Sequence, residues 1–114
     1  MTAARPVHLG EFEYLVLLAV MRLGPTAYGL SILRTLEEHA GRSVTRGAVY
    51  TTLDRLVHKE ILRSRVDVGT AERSHLPRRV YALTATGLAS IRASHGAMSR
   101  MARGLEDLLE SPSS

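Results

Sequence analysis

A short stretch of the chain, 45–56, combines side chains that can contact nucleic acid. It has the sequence TRGAVYTTLDRL. Arginine can bond phosphates or the edge of guanine, threonine can bond either, and a tyrosine hydroxyl can bond phosphate. A glycine near a helix start lets the backbone approach a groove that is about 12 Å wide. The candidate contact residues are Thr45, Arg46, Gly47, Tyr50, Thr51 and Arg55.

The same stretch predicts an amphipathic helix. Ser43 or Thr45 is a suitable N-cap, and we expect the helix to end near 59–60. The candidate contact residues share one face with Asp54, opposite an apolar stripe. The helix N-terminus adds unpaired N–H groups and the positive end of the helix dipole, both of which attract phosphate. The apolar stripe consists of Val49, Leu53, Leu56 and Val57.

Two of the candidates also have a purely structural interpretation. Gly47 is compatible with an irregular helix start, and Tyr50 with half-buried packing against the first helix. Because both lie on the polar face of a basic segment, we favour DNA contact for the helix as a whole.

Positive charge is concentrated in the middle of the chain. Residues 42–79 hold eight arginines and one lysine against four acidic residues, whereas the formal net charge of the whole chain is +4. Such a segment suits a polyanion such as nucleic acid. Fourteen of the fifteen basic residues are arginine, so a solvated face in an arginine-biased proteome is the alternative explanation.

Two more helices and a hairpin are predicted around this segment. Residues 9–23 form a helix that is apolar on several faces and must be covered on several sides. A Gly-Pro pair ends it, and Thr26 can cap the second helix. Alternating runs at 61–68 and 78–84 around a polar loop predict an antiparallel hairpin. Three helices followed by a hairpin is the order of a winged helix-turn-helix.

The hairpin adds a second group of candidate DNA contacts. Its loop should project at the tip and lie on the flanking backbone or minor groove. For each residue, an exposed polar turn without a partner is an equally consistent interpretation. The candidates are Arg73, Ser74 and Arg78.

The segment 85–110 is predicted to be one long helix with an apolar seam. Thr84 is a suitable N-cap, and the seam repeats over three heptads. Such a seam requires a partner, as does the apolar surface of the first helix, so we predict a homodimer. We interpret His95 as an interface residue; the alternative is a contact sensitive to pH or ligand. The predicted interface residues are Phe12, Leu15, Leu88, Ile91, His95, Met98, Ala102, Leu105 and Leu109.

Several other classes of function find no support. The 114 residues include no cysteine, and the five histidines are scattered, so we predict no metal site and no cofactor. No nucleophile elbow, phosphate-binding glycine loop or poised carboxylate pair is present, so we expect no enzyme activity. The longest apolar run, 14–21, is too short to span a membrane, and a cytoplasmic protein is expected.

Four motifs between 9 and 87 follow one another at a characteristic spacing. They are a Leu-Gly opening, a Gly-Pro break with a nearby Tyr, G-x-x-Y-x-x-L-x-x-L at 47–56, and Y-x-L-T-x-x-G at 81–87. Together they resemble the PadR family of bacterial transcriptional regulators. The resemblance implies DNA binding, and the chain length resembles the short branch, whose last and first helices form a dimer.

Two features depart from the family pattern. The second helix has AYGLSI where the family usually has Gly-Tyr-Glu-Ile, and Glu60 stands where a glycine commonly ends the recognition helix. Some short-branch members bind flat aromatic compounds through a tryptophan. This chain has no tryptophan, so that ligand class is not supported, and the identity of any small-molecule effector does not follow from the sequence.

The sequence therefore predicts a mainly α protein with a small antiparallel β-hairpin: a winged helix-turn-helix plus a long C-terminal helix. We expect a homodimeric repressor that binds double-stranded DNA at a pseudo-palindromic operator. The alternative is a winged-helix module that binds protein and not DNA. The expected organisation is an arm at 1–8, the DNA-binding domain at 9–84, the dimerisation helix at 85–110 and a tail at 111–114.

Overall fold

The computed structural model describes residues 4–69 and 76–110. It is mainly helical with a two-stranded antiparallel hairpin, which confirms the predicted fold class of winged helix-turn-helix. A single 3-10 turn, Gly24–Thr26, separates the first two helices. The elements are α1 (Glu11–Leu23), α2 (Gly29–Ala40), α3 (Arg46–His58), β1 (Leu62–Asp67), β2 (Arg78–Leu83), α4 (Ala85–Ala102) and α5 (Glu106–Glu110).

The hydrophobic core lies where α1, α2, α3 and the hairpin meet. The inward stripe predicted for α3 is confirmed, with three side chains fully buried and Val57 packed partly against them. Burial of this stripe holds α3 in place, because each fully buried aliphatic side chain contributes about 1.5–3 kcal/mol. The largest fully buried side chains are Leu17, Ile32, Leu53, Leu56, Ile61 and Leu62.

Threonine hydroxyl groups cap the N-termini of two of the helices. The Thr45 Oγ1 accepts a hydrogen bond from the Ala48 N–H of α3 at 3.1 Å. The Thr84 Oγ1 does the same for the Gly87 N–H of α4 at 3.0 Å. The N-caps predicted at Thr45 and Thr84 are therefore confirmed, and each satisfies a donor that the helix itself leaves unpaired.

The start of α2 differs from the prediction. Thr26 belongs to the 3-10 turn, where its hydroxyl donates to the Leu23 carbonyl at 2.8 Å, so it does not cap α2. The helix begins later, at Gly29, and the Ser31 hydroxyl accepts the N–H of Tyr28 at 3.0 Å. The Gly-Pro pair adds a turn of its own, which carries the chain past Thr26 before α2 starts.

The hairpin is attached to the helical core at its base. Its two strands pair along their full length of six residues each. On the other edge of β2, Tyr28 forms an isolated bridge with Val80. The Tyr81 N–H donates to the Ala27 carbonyl at 2.8 Å. These two contacts attach β2 to the segment just before α2.

A left-handed residue ends α3. Glu60 has φ of 61°, and it is the position where the PadR pattern commonly has glycine. The Thr84 hydroxyl lies 2.6 Å from the Glu60 carbonyl oxygen and 3.0 Å from the Ile61 carbonyl oxygen. A Cβ added at Gly87 would overlap the same Ile61 carbonyl, so glycine allows α4 to pack this closely on the turn.

The C-terminal helix is interrupted, and the prediction of one helix over 85–110 is wrong in that respect. α4 ends at Ala102, Arg103 takes an extended conformation, and Gly104 has φ of 89°. The Glu106 carboxylate accepts the Gly104 N–H at 2.8 Å and opens α5. A glycine adopts the left-handed turn without the steric cost of a Cβ, so the apolar seam continues across a break.

Candidate nucleic-acid interface

The predicted contacts on α3 and its N-cap all lie on an exposed face. Thr52, which follows Thr51 in α3, is buried instead. Asp54 and His58 share the exposed face, although His58 was not among the predicted contacts. Helical spacing from Gly47 through Thr51 would have identified it. The exposed predicted contacts are Thr45, Arg46, Gly47, Tyr50, Thr51 and Arg55.

Gly47 has no packing reason to be glycine. α3 runs regularly from Arg46, and Gly47 is not among the described glycines with positive φ. A Cβ placed on Gly47 would find only the Thr45 Oγ1, at 4.0 Å. Among the described residues, the missing side chain thus serves no contact within the chain. It leaves the backbone of the first turn of α3 open to a partner.

Tyr50 combines packing with partial exposure. Its side chain lies against Gly29 of α2, where an added Cβ would overlap the ring and the hydroxyl group. Tyr50 is 44% exposed. The packing interpretation therefore holds in part, with Gly29 of α2 as a neighbour of the ring. Gly29, which departs from the family pattern, creates the space for the ring.

Arg78 opens β2 at the loop end of the hairpin, where it pairs with Asp67, and its side chain lies against Tyr28. Its guanidinium carbon is 3.7 Å from the centroid of the Tyr28 ring, a cation–π contact. Its Nε is buried and has no hydrogen-bond partner. Tyr28 directly precedes Gly29, the residue of α2 that Tyr50 of α3 contacts. The other predicted hairpin contacts, Arg73 and Ser74, lie outside the described residues.

Arg55 lies near a buried carboxylate, Glu13, that the sequence pattern did not predict as part of the site. Glu13 of α1 is 8% exposed, and its Oε1 accepts the Gly10 N–H at 2.9 Å. Its Oε2 lies 3.3 Å from the Lys59 Nζ and 3.9 Å from the Arg55 Nη1. Burial raises the pKa of Glu13, but the Gly10 hydrogen bond and the two cations outweigh it, so its pKa is lowered. The carboxylate is charged at neutral pH.

The hairpin also carries exposed arginines. Arg63 and Arg65 are exposed along β1. Arg65 lies 3.8 Å from the Asp67 carboxylate, and the Arg79 Nη1 donates to the Ser64 Oγ at 3.0 Å. Arginines on this strand and on α3 together offer the guanidinium groups that phosphates require.

A family comparison identifies the class of protein that has this arrangement. The sequence profile of the transcriptional regulator PadR-like family matches residues 17–93, more than half of the chain. The chain belongs to the PadR-like family of transcriptional regulators. No curated protein sequence matches it.

Solved structures agree with this assignment. A PadR-like transcription factor of Bacteroides fragilis is 25% identical, with a TM-score of 0.70 over 85% of this chain and 88% of its own. A PadR family transcriptional regulator of Eggerthella lenta is 28% identical, with a TM-score of 0.64 over 89% and 88% of the two chains. PadR of Bacillus subtilis, solved in complex with operator DNA, has the same fold at 19% identity, with a TM-score of 0.61 over 75% of this chain and 46% of its own.

The predicted dimer residues of this PadR-like protein differ in how far they are exposed. Ile91 is 5% exposed and packs into the core of its own chain, so it has no surface for a partner and that prediction is corrected. The His95 Nδ1 lies 3.4 Å from the Tyr14 hydroxyl, which gives His95 a neighbour on α1. Phe12, Leu15, Leu88 and Ala102 are partly buried, whereas His95, Met98, Leu105 and Leu109 are exposed.

The described parts of the PadR-like chain contain neither a cluster of metal ligands nor a membrane-spanning helix. Within 4–69 and 76–110, no three His, Asp or Glu side chains come together where a metal ion could bind. Over the same ranges, no helix combines the length and the apolar character needed to cross a bilayer.

Proposed function

We propose that this PadR-like protein is a homodimeric repressor that binds a pseudo-palindromic operator in double-stranded DNA. α3 enters the major groove, and the hairpin lies on the adjacent backbone or minor groove. The observation that carries the proposal is Gly47, which has no side chain at an exposed helix start although the fold leaves room for one. A bare helix start flanked by arginines is what close approach to a DNA groove requires.

The position along α3 assigns roles to its residues. N-terminal residues of a recognition helix contact base edges, whereas residues at its borders contact phosphates. On this basis we assign Arg46 to a guanine edge and Thr51 to a base or a phosphate. We assign Arg55, beside Glu13, and Arg78, stacked on Tyr28, to the phosphate backbone.

A related complex supports the use of this fold on DNA. Bacillus subtilis PadR was solved in complex with operator DNA and shares the architecture of the chain. A repressor that occupies an operator next to a promoter blocks access of the polymerase. We therefore extend the operator contact to this chain and assign it repression.

The exposed apolar surface of α4 and α5 supports the homodimer. Met101 and Leu108 are each 80% exposed, and they continue the seam of Met98 and Leu105. Apolar patches of this kind mark interaction sites, and a second copy of the chain would cover the patch with its own. A two-fold dimer places its two α3 helices on half-sites about one helical turn apart.

Selection from random duplexes followed by salt titration tests the proposal. The full-length protein should enrich an inverted repeat, and its affinity for that repeat should fall steeply with salt. Each phosphate contact contributes about 0.9 to the slope of log affinity against log salt. Failure to enrich any sequence, or an association that does not change with salt, would contradict the proposal and favour the protein-binding alternative.

A further inference from the structure

We infer that Glu13 is a positioning residue for DNA recognition that acts through Arg55. This inference rests on the proposed function. Glu13 belongs to α1, and its side chain is only 11% exposed, so the carboxylate itself is too buried to reach DNA. In the described parts of the chain, Arg55 and Lys59 form ion pairs with Glu13 and with no other acid.

The charges at this contact do not cancel. One carboxylate faces two cations whose side chains remain 49% and 39% exposed, for Arg55 and Lys59. Lys59 is the closer partner, at 3.3 Å, and Arg55 lies at 3.9 Å. Lys59 can therefore neutralise Glu13, while the guanidinium of Arg55 stays beside the carboxylate and keeps a positive charge for a phosphate. The carboxylate limits α3 to one available cation at this end and fixes where that cation lies.

Glu13 is itself fixed in the framework of the protein. Its Oε1 accepts the Gly10 N–H at 2.9 Å, which leaves Oε2 directed at α3. Just before this point the chain is held by burial of Leu9 and by the Val7 N–H, which donates to the Ser90 Oγ of α4 at 2.8 Å. The position of Arg55 on DNA is thus set relative to α1 and α4, not only by α3.

Glu13→Gln removes the charge and keeps the shape of the side chain and an oxygen for the Gly10 N–H. Arg55 and Lys59 are then both free to contact phosphates, whatever the DNA sequence. We expect the salt slope for an unrelated duplex to become steeper by about 0.9. We expect the ratio of operator affinity to unrelated affinity to fall about tenfold, since a fixed phosphate contact sets the register in which α3 meets the bases and a mobile one does not.

The chain offers a matched control on the same helix. Glu11 lies two residues away, is exposed, and forms an ion pair with Arg42, away from Arg55 and Lys59. Glu11→Gln changes the net charge by the same amount as Glu13→Gln. We expect it to leave the affinity ratio and the salt slope at their wild-type values, so an equal effect of both variants would overturn the inference.

Fluorescence anisotropy of the full-length protein with labelled operator and unrelated duplexes, over a range of salt, provides the readout. In an Arg55→Gln background, Glu13→Gln should change the affinity ratio no further, because the residue through which it acts is gone. An unchanged ratio in the single variant, or the full tenfold loss in the double variant, would overturn the inference. A stability effect alone would lower both affinities equally and leave the slope unchanged, which would also overturn it.

Two further comparisons cover the remaining outcomes. If Glu13→Gln does not fold, Lys59→Gln leaves Arg55 alone with the carboxylate. Arg55→Gln should then no longer reduce the salt slope, whereas in the wild type it reduces the slope by about 0.9; an equal reduction in both would overturn the inference. A wild type that does not distinguish operator from unrelated DNA contradicts the proposed function instead.

Discussion

At Gly47, a single substitution should have opposite effects on the stability of the fold and on DNA binding. Its backbone is helical, and its surroundings would accept a methyl group. Gly47→Ala should therefore raise the free energy of unfolding by about 0.4–1 kcal/mol, since alanine restricts the unfolded chain. The same methyl group would keep the helix backbone from approaching the DNA groove closely, so operator affinity should fall about tenfold.

Thermal unfolding and operator binding of Gly47→Ala, measured side by side, check this prediction. Gly96→Ala is a suitable control, because a Cβ on Gly96 would meet only the flexible end of Arg100 in α4. That variant should be stabilised without weaker DNA binding. A Gly47→Ala protein that binds the operator as well as the wild type would show that the open first turn of α3 has no role in DNA contact.

Glu13 makes the stability of the protein depend on acid pH. Its pKa in the folded protein is lowered from the ordinary value of 4.5. A lowered folded pKa means that the stabilisation is present above the unfolded pKa and is lost as the pH falls through the folded pKa. Wild type should therefore lose stability below about pH 4.5 more steeply than Glu13→Gln. Denaturant unfolding at a series of pH values measures this, and parallel profiles would count against it.

At the scale of elements, the turn from α3 to β1 carries a strained residue. Glu60 has φ of 61°, which costs a residue with a Cβ roughly 1–2 kcal/mol relative to glycine. Glu60→Gly should raise the unfolding free energy by about 1 kcal/mol. Glu60→Ala keeps the Cβ and should give no such gain, so a similar gain from both variants in chemical denaturation would contradict the explanation.

Much of the arrangement of elements could be predicted from the sequence, because its signals are local. The apolar stripe and the hydroxyl cap of α3 lie within the helix that they define, and both were predicted correctly. The break at Gly104 could not be, since the heptad spacing continues from Met98 and Ala102 before it to Leu105 after it. Thr26 failed as a cap because the preceding Gly-Pro pair forms its own turn.

The site could be predicted only where residues act within one element. Exposure of Arg46 and Thr51 follows from helical spacing. The ion pair of Glu13 with Lys59 joins residues 46 positions apart, and burial of that acid depends on how α1 packs on α3. Ile91 likewise seemed available to a partner, because spacing alone does not tell which side of α4 faces its own core.

At the scale of the whole molecule, the apolar seam of α4 and α5 should hold two chains together. Leu105→Glu or Met98→Glu buries a charge in that seam and should split the dimer. Operator affinity should fall with it, since one protomer contacts only one half-site. Ser99→Glu, an exposed change on the same helix, should leave the dimer intact. Sedimentation measures both, and a seam variant that stays dimeric would exclude this interface.

The central claim is that α3 recognises DNA sequence, and Arg46→Ala tests it most directly. The measurement is the affinity of the variant and of wild type for the selected operator and for its single-base-pair substitutions. If Arg46 contacts a guanine, the variant should lose about 1–3 kcal/mol of binding free energy and its preference at one base pair in each half-site. An unchanged affinity and an unchanged base preference would contradict the account.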